Sequence, residues 1–295
     1  MAKYETNPEI RTVRAKIRGW LDYVDGTFRL RDAYEALGAD SPDKKNAVRQ
    51  GLHREKGETV EPTGTYAVWR KINRDIEWCD LSASQEVRME RINVKLPIKL
   101  DSMIDLYYGD LLIAAGLTNT GKTSFALEFA MKNRHLGVNY LSSEVTPQQI
   151  HDRAEKDGIK IESLSGIKFA LLYDAFQDVV EPGKVNIIDY LQAPGSTEDP
   201  RYFAIPHLIS KIHEKMKGTG MTLICIQKDK GKRTGDGGPK TLHRSNLYLT
   251  LDKDDRGRHW MNIQKCKVRS ALEGFRMQYR PRLFSLEPLS DWIPP

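Results

Sequence analysis

The feature that most constrains the fold is the octet Gly-Leu-Thr-Asn-Thr-Gly-Lys-Thr at residues 116–123. It matches the phosphate-binding pattern G-x-x-x-x-G-K-[ST] at every fixed position. A short apolar run at 110–115 precedes the octet, and a helical pattern at 123–132 follows it. Because glycines permit a tight turn whose N–H groups point at a phosphate, this order predicts that the chain binds a nucleoside triphosphate.

The residues of the octet have predicted roles in holding ATP. Lys122 can reach the β- and γ-phosphate oxygens, and the Thr123 hydroxyl can hold Mg²⁺. The candidate cofactor site is the whole octet: Gly116, Leu117, Thr118, Asn119, Thr120, Gly121, Lys122 and Thr123. The alternative is a glycine loop that happens to precede an amphipathic helix. The order of strand, octet and helix argues against that alternative.

Length and composition agree with a cytoplasmic protein. A chain of 295 residues with 39% hydrophobic residues can form one large domain and a small one. The N-terminus has no signal-peptide pattern, and no run approaches the roughly 18 apolar residues of a membrane span. The three cysteines are far apart and lack C-x-x-C spacing. We expect no membrane partner and no cysteine metal site.

Residues 1–75 predict a small domain of three helices and a β-hairpin. Three helical patterns and two strand patterns follow one another at 13–21, 28–37, 42–55, 59–61 and 65–70. Ser41-Pro42 marks the start of the third helix, and a Pro-Thr-Gly turn separates the strands. Elements in this order resemble a winged helix-turn-helix domain.

The third predicted helix carries the cations Lys44, Lys45 and Arg49 on its outward face. In DNA-binding modules of this kind the third helix enters the major groove, so we expect these residues to contact duplex DNA. Many winged helices bind protein instead. A protein-docking or oligomer-positioning role therefore stays open.

Residues 76–100 are predicted to form a linker, because charges alternate there and large apolar residues are few. From there to the end, residues 101–295 alternate apolar strand patterns with helical patterns. That alternation is typical of an α/β domain with a mainly parallel sheet.

Three polar side chains directly follow or end apolar strand patterns of this domain. Glu144 is placed where a carboxylate can polarise an attacking water. Asp189 fits the second Mg²⁺-organising carboxylate of such sites. The amide of Gln227 can touch both the γ-phosphate and the segment beyond it. Each of the three could instead be an ordinary surface residue.

These motifs together resemble those of RecA-type ATPases, most closely the DnaB-like replicative helicase core. The resemblance covers roughly residues 100–280 and includes Leu-Ser-Ser-Glu at 141–144, Ile-Ile-Asp-Tyr-Leu-Gln at 187–192 and Ile-Cys-Ile-Gln at 224–227. It implies a RecA-like core with Glu144 as catalytic glutamate and Asp189 as the Mg²⁺-organising aspartate. It also implies that Gln227 couples the γ-phosphate to a DNA-binding loop.

The resemblance further implies contact between subunits. Lys267-Val268-Arg269 resembles the Lys-x-Arg pair that reaches the neighbouring subunit's nucleotide in this family. Such cations act only where subunits pack head to tail, so a homo-oligomeric ring or filament is implied. By residue type alone, Lys267 and Arg269 could be two outward positions of an exposed strand. The helical N-terminal domain usual in DnaB helicases is replaced here by the apparent winged helix.

Positive charge is concentrated in the C-terminal third. Residues 228–280 contain 14 Lys/Arg and 6 Asp/Glu, although the net charge of the whole chain is only +6. The glycine-rich segment 228–244 begins directly after Gln227. Its Lys230, Lys232 and Arg233 are candidates for phosphate contacts with single-stranded DNA. A surface loop with no nucleic-acid partner would have the same composition.

The sequence therefore predicts Mg²⁺-dependent ATP hydrolysis coupled to DNA binding, in a helicase-like or DNA-remodelling motor of replication or recombination. One alternative is an ATP-switched DNA-binding regulator, such as a replication initiator or repressor. Another is a protein-binding ATPase. A bacterial, plasmid or phage context is expected.

Overall fold

The computed structural model describes residues 8–24, 26–72, 91–192, 201–216 and 218–295. The chain divides into two units, Met1–Ser84 and Gln85–Pro295, and the octet lies in the second. Within the described ranges, no helix is both long enough and apolar enough to cross a membrane.

The described part of the first unit contains three helices and a three-stranded antiparallel sheet. Its elements in chain order are α1 (Pro8–Leu21), β1 (Thr27–Arg29), α2 (Leu30–Ala36), α3 (Pro42–Arg54), β2 (Val60–Pro62) and β3 (Val68–Lys71). The strands pair in the order β1-β3-β2. The helices and the hairpin fall near their predicted positions, but β1 is not predicted. Because Phe28 pairs with Trp69 in the sheet, the second helix begins at Leu30 rather than at 28.

Apolar packing and ion pairs hold α3 against α1. The buried side chains between the two helices include Ile17, Leu21, Val48 and Leu52. Glu55, which follows α3, is fully buried, and its carboxylate accepts hydrogen bonds from Arg14 and Arg18 of α1. Burial raises the pKa of Glu55, but these hydrogen bonds outweigh it and hold the pKa below its usual value. Glu55 thus fixes the helix that carries Lys44, Lys45 and Arg49.

The described part of the second unit is an α/β structure. Its strands are β4 (Leu111–Gly116), β5 (Val138–Ser142), β6 (Ile167–Leu171), β7 (Val185–Leu191), β8 (Met221–Gln227), β9 (Leu247–Lys253), β10 (His259–Cys266), β11 (Arg276–Pro281) and β12 (Leu286–Pro288). Its α-helices are α4 (Lys122–Asn133), α5 (Pro147–Lys156), α6 (Phe176–Val179) and α7 (Arg201–Met216).

These strands form one sheet in the order β12-β11-β10-β9-β4-β8-β7-β5-β6. The strands from β9 to β6 are parallel, whereas β10, β11 and β12 are antiparallel additions at one side. The predicted α/β fold with a mainly parallel sheet is confirmed.

The central strand β4 is buried on both faces, which explains its unbroken apolar sequence. Leu112 and Ala114 face a core shared with α4 and α5, and Leu111, Ile113 and Ala115 face a second core shared with α6 and α7. The carboxyl ends of β4, β5, β7 and β8 meet at one edge of the sheet. The octet, called the phosphate loop below, lies at this edge of the sheet.

The prediction that residues 76–100 form a linker is wrong for the last part of that range. Residues 92–100 alternate apolar and other side chains, and the apolar ones are buried in the core beside α4: Ile92, Val94, Leu96, Ile98 and Leu100. The Asn133 side chain donates to the Lys95 carbonyl at 2.9 Å and accepts from the Lys95 N–H at 2.7 Å. The period of two is the signal for this burial. Residues 76–90 lie outside the described part of the chain.

Candidate active site

The phosphate loop joins the end of β4 to the start of α4 and is fixed by contacts on several sides. Gly121 has φ of 90°, and a Cβ there would lie 2.9 Å from the Cβ of Pro281. The Thr120 hydroxyl donates to the Leu117 carbonyl at 2.8 Å. The Tyr279 hydroxyl of β11 donates to the Thr120 carbonyl at 2.6 Å. These contacts set the shape of the loop.

Lys122 of this loop is hydrogen-bonded directly to Gln227, the last residue of β8. The Lys122 ammonium donates to Oε1 of Gln227 at 3.0 Å, and to the carbonyls of Gly116 at 3.1 Å and Leu117 at 3.0 Å. Nε2 of Gln227 in turn donates to the Thr118 hydroxyl at 2.9 Å. Burial lowers the pKa of Lys122, and nearby acidic groups oppose this shift. The structure brings the predicted lysine and glutamine together.

Asp189 lies fully buried in β7 beside the phosphate loop. Its Oδ2 accepts a hydrogen bond from the Tyr140 hydroxyl at 2.7 Å, whereas its Oδ1 has no hydrogen-bond partner. Burial raises the pKa of Asp189, and the Tyr140 and Thr123 hydroxyls partly oppose this. Carboxylate and hydroxyl oxygens are the ligands that Mg²⁺ prefers. The Thr123 hydroxyl lies close to the Asp189 carboxyl group, and the orphaned Oδ1 fits a site for Mg²⁺ or for a water bound to it.

Glu144 is exposed just beyond β5, close to the same groups. The Ser142 hydroxyl donates to the Asp189 carbonyl at 3.0 Å and accepts from the Glu144 N–H at 3.2 Å. Burial is the main cause of the raised pKa of Asp189 and of the lowered pKa of Lys122. The negative charge of Glu144 adds to the first shift and opposes the second. Strand β5, through Ser142, thus places Glu144 close to Asp189 and Lys122.

The basic segment after Gln227 divides into a buried start and an exposed part. Lys228 is buried in an ion pair with Asp252 of β9, so it is not a surface cation. Lys230 is exposed and pairs with Asp255 at 2.7 Å. Lys232 and Arg233 are exposed and line a cleft of about 920 Å³, whose wall also includes Gln227. Of the three predicted DNA-contacting cations, Lys232 and Arg233 therefore share a cleft with Gln227, whereas Lys230 is held by Asp255.

Lys267 and Arg269 lie far from the phosphate loop of their own chain. They follow β10, which runs antiparallel to β9, whereas β9 runs parallel to β4. The Lys267 N–H donates to the Asn246 carbonyl at 2.8 Å, and the Asn246 N–H donates to the Leu111 carbonyl at 2.8 Å. The 6 residues of β4 separate this opposite edge from the phosphate loop by about 20 Å. Both cations are exposed there, and neither can reach the nucleotide site of its own subunit.

The cations of α3 form a separate group in the first unit. Lys44 pairs with Asp40 at 2.8 Å. Lys45 lies 5.9 Å from the ring centroid of Tyr34, and Arg49 donates to the Tyr34 hydroxyl at 3.3 Å. All three cations are exposed. They are available on one helix face, but each already has a local contact.

The sequence patterns do not single out three residues that shape the site. Tyr140 and Ser142 contact Asp189, and their signal is a pair of hydroxyls in the short buried strand just before Glu144. Tyr279 binds the phosphate loop from 159 positions away in the chain, and no local pattern could predict that contact.

The crystal structure of the RadB recombinase is similar to this chain, with a TM-score of 0.51 and 20% sequence identity. The similarity covers 66% of this chain and 98% of that chain. The fold is RecA-like. No family model and no curated protein matches the sequence. The RecA-like fold agrees with the sequence analysis, whereas the DnaB-like branch and the winged helix stay predictions.

Proposed function

We propose that this chain hydrolyses ATP with Mg²⁺ at the phosphate loop and couples hydrolysis to DNA binding. The observation that best supports this is the hydrogen-bond chain from Lys122 through Gln227 to Thr118. It connects the phosphate-binding lysine to the residue from which the basic segment begins. A nucleotide site and a candidate DNA cleft therefore share one side chain.

In the proposed reaction each residue of the site has a distinct task. Lys122 would bind the β- and γ-phosphates, and the Thr123 hydroxyl and Asp189 would hold Mg²⁺, which would neutralise phosphate charge. Glu144 orients the attacking water and accepts its proton. The buried Asp189 carboxylate supports the proposed Mg²⁺ binding, since its unpaired Oδ1 would gain a donor from a water bound to the metal.

The coupling follows from competition for the Lys122 ammonium. A γ-phosphate offers a charged acceptor, which binds an ammonium more strongly than the neutral amide oxygen of Gln227 does. Nucleotide would therefore release Gln227 from Lys122. The Asp236 N–H donates to the Gln227 carbonyl at 2.8 Å. A shift of Gln227 would therefore displace the backbone of the basic segment at Asp236.

We also propose that subunits assemble head to tail in a ring or filament. Lys267 and Arg269 are exposed at the edge opposite the phosphate loop, where only a neighbouring subunit's nucleotide could meet them. The similar RadB protein is a recombinase, which supports a recombination-type, DNA-directed activity. Strand-separating helicase action, with single-stranded DNA in the cleft, is the finer form of the proposal.

The second candidate is an ATP-switched DNA-binding regulator. It is favoured by the exposed cations of α3, which lie in a unit of their own. In that case α3 would bind a preferred duplex sequence, and ATP would control assembly rather than drive movement.

The deciding experiment measures ATP hydrolysis by the full chain with no DNA, with single-stranded DNA and with duplex DNA. The mass of the particle with a non-hydrolysable ATP analogue is measured alongside. A motor predicts single-strand stimulation and a larger particle with the analogue. A regulator predicts preference for one duplex sequence. No hydrolysis in any condition would overturn the enzyme proposal.

Two triple variants separate the DNA-contacting regions. Neutralising Lys230, Lys232 and Arg233 to glutamine should abolish stimulation by DNA. Neutralising Lys44, Lys45 and Arg49 to glutamine should weaken DNA binding in a salt-dependent way. If only the α3 variant loses stimulation, the regulator becomes the better proposal. If neither variant changes DNA affinity, a protein partner replaces DNA.

A further inference from the structure

The face of β10 that points away from the larger core carries a row of polar and aromatic side chains. Met261 and Ile263 belong to that core, so Trp260, Asn262 and Gln264 lie on the other face at a spacing of two residues. All three are partly exposed. The row therefore forms an accessible strip along one strand.

Trp260 holds two arginines close to its ring. The guanidinium carbon of Arg258 lies 5.6 Å from the ring centroid, and that of Arg276 on β11 lies 4.9 Å away. Both separations are within the range of cation–π attraction. Both arginines are exposed, and with Lys253 they line a hollow of about 420 Å³.

The side chains that line the hollow carry a net positive charge. Asp254 binds Nε of Arg258 at 2.8 Å and the indole N–H of Trp260 at 3.2 Å. Burial raises the pKa of Asp254, but these hydrogen bonds outweigh it and lower the pKa to about 2. Asp254 therefore stays ionised and fixes the turn. Asp252 is paired with Lys228. Within the described residues, Lys253 and Arg276 form no ion pair.

The strip continues the cleft of the basic segment. Gln264, at one end of the strip, also lines that cleft with Lys232 and Arg233. Ion pairs tie the two regions together, because Lys228 binds Asp252 and Lys230 binds Asp255 in the β9–β10 turn. A chain lying in the cleft would therefore meet Asn262 and then Trp260 next.

We propose that the strip from Gln264 to Trp260, with Arg258 and Arg276, is a second contact site for a single-stranded nucleic acid. The inference rests on the proposed DNA binding of the adjacent cleft. Guanidinium planes and an indole ring stack on exposed base faces, and cations contact the phosphates between them. A duplex hides its base faces, so this chemistry selects a single strand.

The test compares variants of the full chain for binding of oligo-dT and oligo-rU, followed by fluorescence anisotropy over a salt series. Arg276→Gln should lower the affinity and reduce the slope of log K against log salt by about 0.7, the value of one single-strand phosphate contact. Arg276→Lys should keep the slope but recover only part of the affinity. Trp260→Phe should remove most of the tryptophan quenching that accompanies binding.

The matched control is Arg134→Gln, which removes an exposed arginine after α4, at the edge of the sheet opposite the phosphate loop. It should keep the wild-type affinity and slope, and thermal melting should show every variant folded. Wild-type binding by Arg276→Gln and undiminished quenching in Trp260→Phe would overturn the inference. So would unchanged affinity with loss of the larger particle, which would assign the strip to contacts between copies. Failure of the wild-type chain to bind any oligonucleotide would instead overturn the proposed function itself.

Discussion

Asp189 is a costly residue for the fold, because a buried carboxylate with an unpaired oxygen lowers the stability of the folded chain. Tyr140 satisfies Oδ2 only, and burial raises the pKa of the group. A buried polar atom without a partner calls for a functional reason. The proposed Mg²⁺ binding at the phosphate loop would supply that reason, since a metal-bound water would donate to Oδ1.

At the same scale, Glu144→Gln separates nucleotide binding from hydrolysis. The amide keeps the shape of the side chain but cannot accept the proton of the attacking water. We expect ATP binding to persist and the hydrolysis rate to fall by about 10²- to 10⁴-fold. Fluorescent-nucleotide titration and steady-state phosphate release measure the two quantities.

Glu155→Gln is the matched control. Glu155 is also exposed, but it lies at the C-terminal end of α5, away from the phosphate loop. It should hydrolyse ATP at the wild-type rate. Near-wild-type hydrolysis by Glu144→Gln would remove Glu144 from the catalytic role.

At the scale of elements, the strand–loop–helix unit and the polar strand ends could be predicted because their signals are local. The octet fixes β4 and α4, and the strands that lead to Glu144 and Gln227 are mainly apolar because they are buried on both faces. Contacts between distant segments could not be predicted in this way. Tyr279 reaches the phosphate loop only because β11 joins the same sheet. The strip on β10 likewise depends on Arg276 from a different strand.

Helix α3 offers a prediction about stability. Glu55 is buried and paired with Arg14 and Arg18, so Glu55→Gln should destabilise the first unit by about 1–3 kcal/mol, a range reduced because both arginines are partly exposed. The folded pKa of Glu55 lies below its usual value of 4.5, so its contribution is present above that pH and lost as pH falls through the folded value. The effect of the substitution should therefore shrink in acid.

Hydrogen exchange of peptides from α1 and α3, in the full chain at several pH values, measures this effect. Glu58→Gln is the matched control, since Glu58 pairs with the same two arginines but is exposed. Its loss should change protection little. Equal loss of protection in both variants would show that burial of Glu55 is not what stabilises α3.

At the scale of the whole molecule, the candidate functional residues lie at two opposite edges of the sheet. The phosphate loop, Glu144 and Asp189 lie at one edge, and Lys267 and Arg269 lie at the other. A subunit with this arrangement would present its nucleotide at one edge and the exposed Lys267 and Arg269 at the other. Head-to-tail packing would join the two in every interface.

Mixing two inactive variants tests that arrangement. Arg269→Ala subunits retain Glu144, and Glu144→Gln subunits retain Arg269, so some mixed interfaces contain both intact groups. We expect partial recovery of ATP hydrolysis after subunit exchange, measured against each variant alone. A well-mixed oligomer with no recovery, or a fully active monomer, would contradict action between subunits.

The most direct test of the proposed coupling measures whether Gln227 connects ATP hydrolysis to DNA binding. Steady-state ATP hydrolysis is compared with and without oligo-dT for the wild-type chain, Gln227→Ala and the exposed control Gln148→Ala on α5. We expect DNA to stimulate hydrolysis by the wild type and the control several-fold. For Gln227→Ala we expect a stimulation ratio near one, because the bridge between Lys122 and Thr118 is lost. Full stimulation of Gln227→Ala by DNA that it demonstrably binds would contradict the proposed coupling.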